Sequence, residues 1–387
     1  MDKQRIITRD FGLVFLSQFV FSFAFSMLIP TLPIYLSKLG SREEAIGILI
    51  GVFSVSSLLL RPSVGNLLSR VPERQVMMAG ACVSGLASFA YLFAPPFWPF
   101  FVVRVFQGAG FALVSTAAYT LIANIGPAGR RGQSLGYFYL SFNIPFALAP
   151  ALGMFLINKF DFAVLFLACA GLYIVSLILV TRLTRRHEPP PDPSAFQGGS
   201  FFNRENLPPS MVSFFLHVIW GTVTTFFPLF ALNHGVSNPG LIFSVVAFML
   251  ISGRIFAGRV LDLYRRESII LPCLVVYTIA MVILVFSRTL PMFILMAVIW
   301  GAGHALFYPA LVALAIDRAS SSRGVLMAMF TAAGDFGVGI GPVVMGIILQ
   351  HTSYPFMFMC VVFTAMLNLL YFQFVVKRKK EDLGQPS

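Results

Sequence analysis

Twelve apolar stretches, each bounded by charge, proline or glycine, run the length of this 387-residue chain. They fall at about 10–37, 45–68, 75–94, 96–123, 132–157 and 161–182 and, after a break, at about 207–233, 239–263, 268–287, 290–316, 324–350 and 354–376. A bilayer-spanning helix needs roughly 20 apolar residues, so the pattern predicts twelve membrane helices in two sets of six. The first run, Phe11 to about Leu36, is too long for a signal-peptide core and no small-residue cleavage site follows it, so it reads as a retained helix. The break contains Arg182, Arg185 and Arg186 and then Glu-Pro-Pro-Pro-Asp-Pro-Ser. Consecutive prolines cannot continue a helix, and the polar composition suits a linker in water. The expected organisation is an N-terminal six-helix bundle over 1–182, a linker over 183–206, a C-terminal six-helix bundle over 207–376 and a basic tail over 377–387.

Composition agrees with that solvent. Apolar residues make up 58% of the chain and charged residues 11%, with a mean hydropathy of +0.85. Soluble domains carry roughly 25% charge, so this chain could not cover a water-facing surface. The net charge of +12 could suggest a nucleic-acid partner, but its placement argues against one. Loops on the side of the N-terminus hold nineteen basic residues, among them Lys3, Arg70, Arg74, Arg130, Arg265, Arg318 and Lys377, whereas the opposite loops hold only Lys38, Arg42, Lys159 and Arg288. Excess Lys and Arg stay in the cytoplasm, so both termini and the linker are expected there, in a multi-pass protein of the cytoplasmic membrane.

The second half echoes the first. Residues 323–346 repeat 131–154 at an offset of 192, with Arg131 on Arg323, Phe138 on Phe330, Pro150 on Pro342 and Asn143 on Asp335. Gly108–Leu113 matches Gly301–Leu306, Arg61–Gly65 matches Arg254–Gly258, and Leu32–Gly40 matches Phe227–Gly235. Cys82 pairs with Cys273 and Cys169 with Cys360 across the same repeat; each sits in a different apolar segment without metal-site spacing, so they read as packing residues. Duplicated membrane halves are the mark of a transporter. No Walker-type Gly-Lys-Ser/Thr sequence occurs, so transport would be driven by a gradient.

Three motifs make the chain resemble the major facilitator superfamily, and within it the twelve-helix bacterial drug and small-metabolite efflux proteins. The loop after the second helix, Gly65-Asn-Leu-Leu-Ser69-Arg70-Val-Pro72-Glu73-Arg74, is similar to the superfamily's Gly-x-Leu-x-Asp-Arg-x-Gly-Arg-Arg, with serine for the aspartate and proline for the glycine. The second half has an acidic version, Gly258-Arg-Val-Leu-Asp262-Leu-Tyr-Arg265-Arg266. In the fourth helix, Arg104-Val-Phe-Gln107-Gly108-Ala-Gly110 matches Arg-x-x-Gln-Gly-x-Gly, whose arginine the family links to proton coupling. The fifth helix carries Gly136, Pro145 and Ala149-Pro150-Ala-Leu-Gly153-Met154, similar to an antiporter signature that normally ends Gly-Pro-x-x-Gly-Gly. The resemblance implies an all-α fold of two pseudo-symmetric six-helix bundles, with a central cavity lined mainly by helices 1, 4, 7 and 10. It also implies gating roles for Gly65, Arg70, Arg74, Asp262, Arg265, Pro150 and Pro342. Gly and Pro in helices 5 and 11 would permit close approach and bending.

A proton-driven carrier needs a group that titrates inside the membrane. Asp335 lies about 18 Å along the eleventh segment at the standard rise. A carboxylate at such depth costs roughly 2.5–3.5 kcal/mol and usually faces a cavity or a partner. Arg104 stays charged and could hold an anion or answer a carboxylate, and His304, which replaces the Phe111 of the first half, can titrate near neutral pH. These three are the coupling candidates. Gln18, Gln107, Asn143, His217, Trp220, Trp300 and Tyr308 are the substrate-contact candidates. The acid that many relatives carry in the first helix is missing: Gln18, Ser22 and Ser26 occupy that stretch, and Asp10 at its mouth reads as a helix-start residue. The expected function is proton-coupled export of small amphipathic compounds by alternating access, by a monomer without cofactor or metal whose partners are substrate, protons and lipid. The alternatives are a dedicated exporter of one metabolite such as a sugar or metallophore, an uptake symporter, and a transport-dead membrane sensor.

Overall fold

The computed structural model describes residues 7–127, 131–184, 207–317 and 323–377, apart from the side chains of 131, 132, 254–259, 261, 262, 323–325 and 328. The linker beyond Thr184, the tail beyond Lys377, loop residues Arg130 and Arg318, and the side chain of Asp262 lie outside the described residues. Twelve α-helices are found there: α1 (Arg9–Lys38), α2 (Glu43–Leu68), α3 (Glu73–Ala90), α4 (Trp98–Ile125), α5 (Arg131–Lys159), α6 (Phe162–Thr181), α7 (Leu207–Asn233), α8 (Gly240–Leu263), α9 (Arg266–Phe286), α10 (Leu290–Asp317), α11 (Arg323–His351) and α12 (Tyr354–Tyr371). A π-helical turn, Phe372–Lys377, extends the last. Ten are long and apolar enough to cross a membrane. Of the other two, α3 spends its first turn on Glu73, Arg74 and Gln75, and α8 shows an apolar stretch over Gly240–Gly253.

The helix ends follow local chemistry. Thr8 caps α1 by accepting from the Phe11 N–H, and Asp161 caps α6 by accepting from the Val164 N–H. Helix α3 stops at Ala90, short of the expected 94. The amides of Leu92 and Phe93 turn back to the carbonyls of Phe89 and Ala90, tightening the chain before Pro95-Pro96, where no helix continues. The matched blocks Leu32–Gly40 and Phe227–Gly235 end alike. Gly40 and Gly235 take φ of 77° and 78°, and the amides of Ser41 and Val236 reach back to the carbonyls of Leu36 and Ala231. This is the glycine-terminated Schellman ending, a conformation strained for any side chain with a Cβ.

The chain divides into two compact units, Met1–Ser41 with Val52–Pro193 and Arg42–Gly51 with Ser194–Ser387. Within the first, α1 packs on α5 and α6, α3 on α4 and α6, and α4 on α5. Within the second, α7 packs on α11 and α12, α9 on α10 and α12, and α10 on α11. Adding six to each helix number of these pairs in the first unit gives those in the second, so for these pairs the repeat in sequence is a repeat in packing. Close approach is built from glycine: a Cβ on Gly337 would stand 2.5 Å from the Phe214 carbonyl oxygen, and one on Gly341 2.5 Å from that of Val218. This binds α11 to α7 at backbone distance.

What these helices expose is apolar. Helix α9 presents Val275, Ile279, Val282 and Phe286, and α12 with the turn after it presents Phe356, Met359, Phe363, Met366, Leu370 and Phe374. Leu86 and Phe89 do the same on α3, and Leu167, Ile174 and Ile178 on α6. Steps of three and four place each set on one helix face, and such stripes suit hydrocarbon rather than water. The four cysteines fall on these same helices, Cys82 on α3, Cys169 on α6, Cys273 on α9 and Cys360 on α12, all as free thiols.

Candidate functional site

In the first unit the buried polar chemistry gathers around α4. Arg104 is 4% exposed. Its Nη1 donates to Oε1 of Gln107 one turn on, at 2.5 Å, and the Tyr91 hydroxyl donates to the same oxygen at 2.5 Å. The guanidinium carbon lies 4.7 Å from the centre of the Phe53 ring, a cation–π contact in a dry setting. Phe25 stacks on Phe53 at 5.1 Å, and Phe111 meets it edge-on at 5.4 Å. Gly108 makes this possible, because a Cβ there would overlap the Phe53 carbonyl oxygen and Ser56 Oγ. Ser56 in turn bonds the carbonyls of Phe53 and Val105, tying α2 to α4. On α1, Gln18 donates through Nε2 to Ser22 Oγ at 3.0 Å, and its buried Oε1 meets no donor among the described residues. Asn143 is half-buried on α5.

The second unit places an aromatic and imidazole cluster where α7, α10 and α11 meet. Trp220 lies 5.0 Å from Trp300 and 5.1 Å from His304. The rings of His304 and Tyr308 are nearly parallel, 6.0 Å apart, and Tyr308 meets His217 edge-on at 5.9 Å. Tyr277 of α9 closes the back of the cluster against Trp300 and His304. His217 holds its Nδ1 2.7 Å from the Ser213 carbonyl oxygen, and Ser213 Oγ donates to the Phe330 carbonyl of α11. The imidazole lies on Gly334, where a Cβ would come within 3.0 Å of Cε1 and Nδ1. Asp335 follows directly and stands close enough for its charge to reach the imidazole. His217, Trp220, Trp300, His304, Tyr308 and Asp335 are thus brought together, and Gln18, Gln107, Asn143 and Arg104 all lie in the first unit.

Carrying the matched blocks along their helices sets these clusters over one another. Gln18 and Ser22 fall on Ser213 and His217, Phe25 on Trp220, Gln107 on Trp300, Phe111 on His304 and Asn143 on Asp335. The contacts follow suit. Gln18 bonds Ser22 as Ser213 bonds His217, and Phe25 packs on Phe111 at 4.9 Å as Trp220 packs on His304 at 5.1 Å. Arg104 falls on Ala297 and has no such counterpart.

The motif residues of the loops hold helix ends. Arg74 donates through Nη2 to the Thr181 carbonyl at 2.6 Å and through Nε to that of Val180 at 3.3 Å, so it covers the last orphan carbonyls of α6. Gly65 and Arg70 are exposed, Arg265 is the exposed N-cap of α9, and Pro150 and Pro342 are buried at matching places in α5 and α11. Asn124 donates to Glu73 at 2.8 Å, and at the equivalent place Arg266 pairs with Asp317 at 3.4 Å. Sequence reasoning missed Tyr91, Phe53 and Tyr277, which no local pattern flags. It also missed Ser213, whose four-residue spacing from His217 was the available signal. Among the described residues no group of three or more His, Cys, Asp or Glu stands close enough to hold a metal.

Duplicated helix packing, outward apolar helix faces and buried polar clusters define a multi-pass membrane transporter. The family model of the Major Facilitator Superfamily matches residues 14–253 and 210–387, and the chain belongs to that superfamily. It is 22% identical over 343 residues to the Staphylopine export protein of Staphylococcus aureus, covering 85% of this chain and 86% of that one. It is likewise 22% identical over 367 residues to the Quinolone resistance protein NorA of the same organism, covering 90% and 92%. Among solved structures, the nucleoside transporter NupG superposes with a TM-score of 0.77 at 14% identity over 95% of this chain and 98% of that one. A POT family transporter in complex with a thioalcohol-conjugated peptide gives 0.79 at 12% identity over 96% of each chain. At these identities the structural likeness is one of fold.

Proposed function

We propose that this transporter exports small amphipathic compounds across the cytoplasmic membrane in exchange for protons, with both termini in the cytoplasm. One observation carries the reading: in two units built on one plan, α11 bears a carboxylate, Asp335, where α5 bears the neutral amide of Asn143. An amide holds its protons near neutral pH, whereas a carboxylate is a group that can take one up and release it. Asp335 and His304 are assigned to coupling, with Arg104 as the fixed positive charge of the first unit. The rings of Trp220, Trp300 and Tyr308, with Gln18, Gln107 and Asn143, are assigned to substrate. Apolar surface with a few polar anchors suits ligands of varied shape. Export is supported by the likeness to an export protein and a drug-resistance protein. A dedicated exporter of one anionic metabolite is the second reading, favoured by Arg104, the one buried basic side chain among the described residues; staphylopine is a compound to test for it.

The test uses proteoliposomes loaded in turn with a quinolone, an amphipathic dye and staphylopine, with and without a pH gradient. Asp335→Asn keeps the shape and removes titration, so exchange of substrate down its gradient should survive and uphill movement should stop. Uphill transport and proton flux at wild-type levels in that variant refute the assignment, with the double variant Asp335→Asn/His304→Gln distinguishing a shared proton site from none.

A further inference from the structure

His217 entered as a substrate-contact candidate, and its surroundings give it a different role. A carbonyl oxygen only accepts, so the 2.7 Å contact between His217 Nδ1 and the Ser213 carbonyl requires the proton on Nδ1. In neutral imidazole the lone pair is then on Nε2. The ring is fixed by that bond, by the missing side chain of Gly334 against Cε1 and Nδ1, and by the edge-on Tyr308. Asp335 stands on the same turn of α11 as Gly334, within electrostatic reach. The first unit neutralises both positions at once: Ser22 stands for His217 and Asn143 for Asp335. A change at one position could be packing drift; a change at two interacting positions, both from neutral to titratable, points to one device.

We infer that His217 and Asp335 form a single proton-holding pair between α7 and α11, in which Nδ1 stays bonded to Ser213 and the mobile proton is taken up at Nε2 or at the carboxylate. The pair alternates between a net charge of −1, with neutral imidazole and carboxylate, and 0 after one proton arrives from water on one side; the same proton leaves to the other. Other groups face His217 as follows. Tyr308 and, behind it, His304 approach from α10, and Asp335 from α11. From α12, Tyr371 meets Phe215 and Asn368 bonds the Val212 carbonyl, on other sides of α7, and Lys377 is exposed. Among the described residues, Asp335 is thus the acid within electrostatic reach of His217. The inference rests on the proton-coupled reading above and moves the imidazole partner of Asp335 from His304 to His217.

Two measurements test it. In the full chain, labelled with nitrogen-15 histidine in nanodiscs, spectra from about pH 5 to about pH 9 span the range in which imidazoles titrate. His217, assigned by its disappearance in His217→Asn, should keep its Nδ1 proton throughout while Nε2 alone titrates, and Asp335→Asn should shift the midpoint. A neutral ring protonated on Nε2, or a midpoint that ignores Asp335→Asn, overturns the pair. In the proteoliposome assay, His217→Asn keeps a donor for the Ser213 carbonyl and removes the titrating nitrogen. Uphill export should fall to the level seen without a gradient, while exchange persists. A coupled wild type whose His217→Asn variant remains equally coupled overturns the pair alone. A wild type that moves substrate with no proton overturns the coupling reading and the pair's role with it.

Discussion

Replacing Arg104 by Met should leave the fold standing and stop uphill transport. The guanidinium makes a charged hydrogen bond to Gln107 and a stack on Phe53. A hydrogen bond to a charged group contributes about 1.5–3 kcal/mol, and a desolvated cation–π contact about 2 kcal/mol. Against these stands the roughly 2.5–3.5 kcal/mol that an arginine costs near the middle of a membrane helix. Counting these two contacts, the difference is about 1 kcal/mol in favour of the native residue, too little to unfold the unit. Methionine keeps the length of the stem, so no large cavity opens, and Gln107 Oε1 keeps the Tyr91 hydroxyl as donor. A group nearly neutral for stability, yet retained as a buried charge, is expected to act in the cycle. Arg104→Lys retains the charge but loses the flat stack and the fork, so it should remain far below wild type. The assay is dye or quinolone efflux from proteoliposomes under a pH gradient, with thermal unfolding of the same samples followed by tryptophan fluorescence. Efflux near wild type in Arg104→Met refutes the reasoning, and so does a variant that is lost to unfolding.

Two further perturbations bear on the framework. Gly108→Ala places a methyl group on the Phe53 carbonyl and Ser56 Oγ, so α2 must move away from α4 and stability should fall by about 1–3 kcal/mol or more, as overpacking does; thermal unfolding indistinguishable from wild type would refute that contact. Arg74→Ala removes two bonds to the carbonyls ending α6 and should lower stability by about 1–2 kcal/mol after allowance for partial exposure, whereas Arg70→Ala, at an exposed residue, should leave the unfolding midpoint unchanged.

The fold was legible because the bilayer allows few solutions. With backbone polar groups obliged to bond internally, long apolar runs have to be helices, and the repeat then fixed which helices correspond. One boundary failed where local hydrogen bonding decides, at Ala90, where a short turn ahead of Pro95 ended α3 inside an apolar run. The site was less legible, because its residues meet through tertiary packing. Arg104 and Gln107 lie one turn apart and could be paired from sequence, but their shared partner Tyr91 comes from the end of another helix and Phe53 from a third. Arg74, expected as a gating charge, is held on carbonyls of α6 that no loop motif records.

The residues proposed for function concentrate where the two copies of the duplicated plan differ. The unit 1 contact of Phe25 with Phe111 and the unit 2 contact of Trp220 with His304 have nearly the same spacing, so the backbone and the packing tolerate either chemistry. What changes is the polar character: hydrocarbon rings become an indole and an imidazole, Ser22 becomes His217, and Asn143 becomes Asp335. The reverse exchange occurs at Arg104, a permanent charge in the first unit set against Ala297 in the second. One unit therefore carries a charge that pH does not alter, and the other carries groups whose charge follows pH. On the proposed coupling, the groups that answer a proton gradient are therefore sought on α7, α10 and α11, and the constant charge on α4.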